Sequence, residues 1–267
     1  MWQKLNRIDT IELARARIQL QNAIQLVSAG PRSYLNSKDG NSGLLQWNQG
    51  KRLLESMPFG SDEKVSLALD IEQFVLSVYG KDDHIEHLVL SGITYPMAFG
   101  WLKVKLDTFT LDADLYNDET IYAIEHRMGI DEELEVTNQK IFADIVLYFD
   151  NSHWLFKKLN KALGLLGKIT VDPATLDMVL SPDENKSTLK LGFSPGSIDY
   201  PEPHYYIKLD ESTTDIAPVV TDVIGIWNSK NWNGLVYAES EYINLDPEIE
   251  YSRISDFFNK NFERLSK

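Results

Sequence analysis

The sequence predicts an α+β fold: a mostly antiparallel sheet in two strand-rich halves, with a helical middle segment and N- and C-terminal helices packed on it. Three patterns carry this expectation. Apolar residues alternate with polar or small ones from Val65 to Val78 and again in runs between Leu189 and Ile243. They recur at helical spacing after Asp9 and after Asp246. Between the strand-rich halves, from Asp118 to Gly167, the chain turns helical. One domain over residues 1–267 is expected, with a division into 1–117 and 118–267 as the alternative.

Asp9-Thr10-Ile11-Glu12 reads as a capping box, and the helix that it opens runs to about Ser28, where Gly30-Pro31 stops it. Leu13, Ala16, Leu20, Ile24 and Val27 share its buried face, and Arg15 and Arg17 flank that face as solvated cations. Asn48-Gln49-Gly50 joins two short strands. Val65, Leu67, Leu69 and Ile71 then alternate, and Phe74, Leu76 and Val78 alternate after a change of phase, so a turn or bulge falls near Glu72-Gln73. Gly92, Pro96 and Gly100 interrupt any helix, and Trp101–Asp107 is taken as a strand with Lys103 and Lys105 on its wet face.

Three helices should follow: Asp118 to Met128, a second from Asp131-Glu132-Glu133 to about Phe149, and a third capped by Ser152 and ending at Gly167. Ile169-Thr170-Val171, Leu189–Phe193 and Tyr205–Leu209 return to strand. The closing segment is the best specified. Val219–Trp227 and Leu235–Ile243 form an antiparallel hairpin around Asn233-Gly234, a pair that tolerates positive φ. Asp246 caps the last helix, Pro247 takes its first position, and Ile254, Phe257, Phe258 and Leu265 lay one stripe on the sheet.

Pro203-His204-Tyr205-Tyr206-Ile207, Ala217-Pro218-Val219, Gly234 and Asp246-Pro247 leading into Phe257-Phe258 resemble the C-terminal segment of an uncharacterised bacterial protein family, a domain of unknown function. The resemblance spans about a quarter of the chain and implies no catalytic residue.

The formal charge of -14, with no cluster of Lys or Arg to offset it, argues against nucleic-acid and anionic-membrane partners. With no cysteine there is no thiol catalysis, disulfide or cysteine-held metal. The first residues show no signal-peptide core, and no apolar run approaches the roughly 18 residues of a membrane span, so a soluble cytoplasmic protein is expected. Oligomeric state stays open.

Phosphate-cradling glycine motifs and the nucleophile elbow are missing, which leaves weaker constellations. Trp227 and Trp232 bracket the hairpin turn among asparagines, and His204 and Tyr206 enter the sheet after a proline loop; aromatic faces beside polar donors suit a small organic ligand. The leading expectation is therefore a small-molecule-binding module with an aromatic-lined pocket at these four residues. The alternative is a metal-assisted hydrolase, with a divalent metal held by His84, Glu86 and His87 and a third group from Glu125-His126. On a helix the two histidines would share a face, whereas on a strand His87 points away from His84 and Glu86. A third reading is a protein-interaction subunit anchored by exposed aromatics. Tight turns, strand-entry packing and a solvated loop account for the same residues without any ligand.

Overall fold

The computed structural model describes residues 1–35, 41–60, 65–80, 84–118, 122–183, 187–209, 223–230 and 232–266. The fold is α+β, and among the described residues it has four α-helices and antiparallel sheets of five, six and two strands. By internal contacts the chain divides into two compact units, Met1–Ala14 with Leu147–Thr170 and Asp177–Lys267, and Arg15–Val146 with Val171–Leu176.

Helix α1 (Thr10–Tyr34) starts as its sequence predicts: Asp9 Oδ1 accepts the N–H groups of Ile11 at 3.0 Å and Glu12 at 3.1 Å. It does not stop at Gly30-Pro31. Pro31 sits inside the last turn, where the Phe59 ring presses so closely on Gly30 that an added Cβ would lie 2.7 Å from it. The chain stays helical past the breaker, and the Leu35 N–H closes the turn on the Pro31 carbonyl at 2.8 Å.

In the second unit, β1 (Gln46–Asn48), β2 (Leu53–Glu55), β3 (Ser66–Asp70), β4 (Val75–Tyr79) and β5 (Ile85–Val89) form a meander in sequence order. The turn between β3 and β4 falls at the predicted change of phase, with Phe74 at φ 52°. Helix α2 (Tyr95–Thr108) replaces the strand expected at Trp101–Asp107. Its buried residues Ala98, Leu102 and Leu106 are four apart, while Val104, which completed the apparent alternation, is 64% exposed. Thr94 caps the helix and Pro96 occupies its first turn, the one place where proline costs no hydrogen bond. The short strands β6 (Ile93–Thr94) and β7 (Glu133–Leu134) pair with each other.

The three middle helices are corrected to one. Tyr122–Met128 contains no helix, Glu133-Leu134 is strand, and α3 (Gln139–Ala162) runs unbroken through Ser152, which is fully buried within it instead of capping a start. A continuous apolar stripe from Ile141 to Leu159 supports one long helix better than the local cap residues support two.

The first unit holds β8 (Lys168–Val171) up to Thr170, β9 (Met178–Ser181), β10 (Lys190–Ser194), β11 (His204–Lys208), β12 (Ile226–Asn228) and β13 (Gly234–Ala238), in the spatial order β12-β13-β11-β10-β9-β8. The expected hairpin is β12–β13, with Asn228 opposite Gly234; positions 219–222 of its first strand lie outside the described residues. Its second strand ends at Ala238, short of Ile243. Gly234 serves close approach, since a Cβ there would meet the Ile207 carbonyl at 2.0 Å. Helix α4 (Pro247–Leu265) begins at the predicted residue and buries Ile254, Phe257, Phe258 and Leu265. One sheet face packs Phe193 against Tyr148 at 5.5 Å and Phe149 at 5.9 Å, and Tyr205 against Phe258 at 5.8 Å between ring centroids.

Candidate functional site

Strand geometry disposes of the residues picked from sequence in two ways. On β5, His87 pairs across to Ser77 and its Nδ1 lies 2.8 Å from the Ser77 hydroxyl. His84 and Glu86 instead approach each other on the opposite face, at 3.3 Å, and Lys105 reaches Glu86 at 3.0 Å. Those hydrogen bonds hold the Glu86 carboxyl below its usual range. The pleat thus parts the two histidines, and among the described residues no trio of His, Asp or Glu gathers to hold a metal ion.

On β11, His204 and Tyr206 share one face and Tyr205 takes the other. The Tyr206 ring lies tilted against Trp232 at 5.5 Å and over Gly192, and its hydroxyl donates to Asp177 at 3.0 Å. His204 sits 5.3 Å from the Tyr200 ring, and its Nδ1 is 2.8 Å from the Glu202 carbonyl. Asn228 ties the group together, accepting from Tyr200 at 3.1 Å and donating to the Trp232 carbonyl at 2.6 Å. Trp227 is in register with Leu235 and so belongs to the helix-covered face, away from His204 and Tyr206. Three of the four expected ligand residues come together. Two of them, His204 and Tyr206, are buried by their own neighbours.

The same unit carries two buried carboxylates that sequence reasoning passed over. Glu239 Oε1 accepts the Tyr148 hydroxyl at 2.5 Å and the Ile8 N–H at 3.2 Å. Glu250 Oε2 accepts the Leu5 N–H at 3.3 Å and the Trp2 indole at 3.4 Å. Both residues are fully buried, and burial pushes the Glu239 carboxyl up to about 7 and Glu250 upward too. Their acidity alone gave no signal in so acidic a chain.

A pocket and a groove lie in the second unit, around the coil from Tyr122 to Met128. Three polar residues of α1 hold the segments that form it. Asn22 donates to the His126 carbonyl at 2.9 Å and accepts the Met128 N–H at 3.1 Å, Gln19 accepts the Glu135 N–H at 3.0 Å, and Arg17 forms an ion pair with Glu125. Arg17 is 2% exposed, so the sequence reading of a solvated flank is corrected for it. On one side of Met128 a pocket of about 310 Å³ is lined by Tyr95 and Phe99 of α2, Asp118, Arg127, Met128 and Ile130. On the other side a wider groove of about 600 Å³ is lined by Arg15, Gln19, His126, Glu132, Glu133 and Glu135.

In the smaller pocket two aromatic rings and two aliphatic side chains face one acid and one guanidinium, Arg127 Nη2 being 3.8 Å from Asp118 Oδ2. The Tyr95 hydroxyl is raised well above its ordinary value, by burial first and by the Asp118 charge second. It therefore stays a neutral donor throughout the physiological range. In the sequence Glu125-His126 reads only as the source of a third metal ligand, and Pro96 only as an interruption. Neither pattern shows that a cap and a coil bring them to one hollow.

Comparison with known protein families, with curated proteins and with solved structures finds no match. Among the described residues no helix is long and apolar enough to cross a membrane.

Proposed function

We propose that this protein is a small-molecule-binding module whose ligand occupies the pocket between the first turns of α2 and the Arg127–Ile130 segment. The observation that carries the reading is chemical: in about 310 Å³, aromatic walls from Tyr95 and Phe99 meet an Arg127–Asp118 pair at one side. That volume is at the small end of organic-ligand sites, which are mostly apolar with a few placed polar groups. It is roughly ten times the liquid volume of one water molecule. A planar ring would lie against Tyr95 and Phe99, an anionic substituent would take Arg127, and a donor would take Asp118. The clamp by Asn22 keeps the wall preformed, so little ordering entropy is lost on binding.

The test uses benzoate and benzylamine as minimal probes, one supplying the anion and the other the donor, in amide chemical-shift titrations of the whole chain. Millimolar binding of either probe, with shifts concentrated at residues 95–99 and 127–130 and lost in Arg127→Ala for benzoate, is expected. Shifts scattered over both units, or clustered at Trp232 and Tyr200, would sink this location.

A further inference from the structure

The segment from Met1 to Asp9 has no regular secondary structure, yet Trp2, Leu5 and Ile8 are all buried. What holds it is two glutamates. Glu250 accepts the Leu5 N–H and the Trp2 indole, and Glu239 accepts the Ile8 N–H. Asn151 adds a two-way contact with Gln3, accepting its N–H at 2.9 Å and donating to its carbonyl at 2.7 Å. The second oxygen of each glutamate, Glu239 Oε2 and Glu250 Oε1, is buried without a hydrogen-bond partner among the described residues. A carboxyl with one oxygen unsatisfied in a dry site is cheaper neutral than ionised.

We propose that residues Met1–Asp9 form a proton-controlled strap, closed over Glu239 and Glu250 when these are protonated and released when they ionise and take up water. The groups that face them decide the direction. Around Glu239 stand Tyr148 of α3, Glu202 ahead of β11, and Arg7 of the strap. Tyr242 lies near both glutamates. Around Glu250 stand Lys4 and Trp2 of the strap, the Leu245 N–H and Tyr205 of β11. Arg7, Lys4 and the donated hydrogen bonds favour the ionised forms, but burial outweighs them at both positions. Lifting the strap removes that burial, so opening is favoured as pH rises.

The size follows from linkage. With Glu239 at about 7 when closed and 4.5 when hydrated, the opening equilibrium rises about thirty-fold between pH 5.5 and 8.5. The test is amide hydrogen exchange of Leu5 and Ile8 in the full chain, corrected for the intrinsic rate at each pH and compared with Tyr205 and Ile207 in β11. Strap amides less protected than the β11 amides at every pH, with a thirty-fold loss of protection over that range that Glu239→Gln flattens, are expected. A flat profile in the unaltered protein, an unchanged loss in Glu239→Gln, or strap amides that exchange in step with β11 at equal protection would each overturn the proposal. Should Glu239→Gln fail to fold, the comparison of strap with β11 in the unaltered protein still decides.

Discussion

Asn22 grips the backbone on both sides of Arg127, donating its amide to the His126 carbonyl and accepting the Met128 N–H. Asn22 itself is 2% exposed, while both bonds lie at a part-buried site on the coil. Asn22→Ala removes both bonds, and each typically contributes about 0.5–1.5 kcal/mol. Chemical denaturation should show a loss at the upper end of that range, because the wall of the pocket goes with it. Asn22→Asp keeps the acceptor alone and should fall between.

The ion pair of Arg17 with Glu125 is lopsided, the Arg17 side chain being 3% exposed and that of Glu125 26%. Removing the acid strands a buried guanidinium, whereas removing both partners does not. Glu125→Ala should therefore destabilise by about 1–3 kcal/mol, discounted for the solvent that reaches Glu125. Arg17→Met combined with Glu125→Ala should restore most of it. Equal losses in the single and double variants would mean that a stranded guanidinium is not the source of the loss.

Glu239 fixes the sign of the pH dependence of stability. Its carboxyl is raised by burial to about 7 from 4.5, so the folded chain binds more protons than the unfolded one between those values. The stabilising contribution is fully present below pH 4.5 and is lost as pH rises through 7. From pH 5.5 to 8.5 this group alone lowers unfolding free energy by about 2 kcal/mol. Glu239→Gln should abolish that slope in urea titrations, and a slope of the opposite sign would show that other carboxylates dominate.

Gly192 lies beneath the Tyr206 ring, where a Cβ would sit 2.0 Å from Tyr206 Cζ. Gly192→Ala must push the ring off the strand and break its bond to Asp177, at a cost of about 1–3 kcal/mol. The adjacent Trp232 should report the move by a shift in fluorescence. If stability and fluorescence both hold, the ring does not rest on that strand.

The segments legible in the sequence are those whose local and long-range signals agree. Asp9, Asp246 and Pro247 mark helix starts that the fold keeps, and the change of phase at Glu72-Gln73 marks a turn that it keeps. Misreadings occur where short-range grammar competes with packing. Pro31 lies in the last turn of a helix beside a Gly30 on which Phe59 packs, and Ser152 lies inside α3, where its hydroxyl meets that of Tyr205 at 3.1 Å. The candidate pocket was hidden for a related reason. Its residues come from a helix start and a coil joined through Asn22, whose role depends on a contact 104 positions away. The His204, Tyr206 and Trp232 group was readable because two of its members are two apart on one strand and the third sits at the end of the neighbouring turn.

The sharpest test of that competition is in α2. As a strand, Trp101–Asp107 would put Leu102, Val104 and Leu106 on one face; as a helix it buries Leu102 and Leu106 and leaves Val104 64% exposed. Val104→Glu should then change stability by no more than about 0.5 kcal/mol, as surface substitutions do. Leu106→Glu places a charge in the core and should unfold the second unit or cost more than about 4 kcal/mol. Thermal denaturation of the two variants separates the geometries, because a strand would make the two substitutions equally damaging.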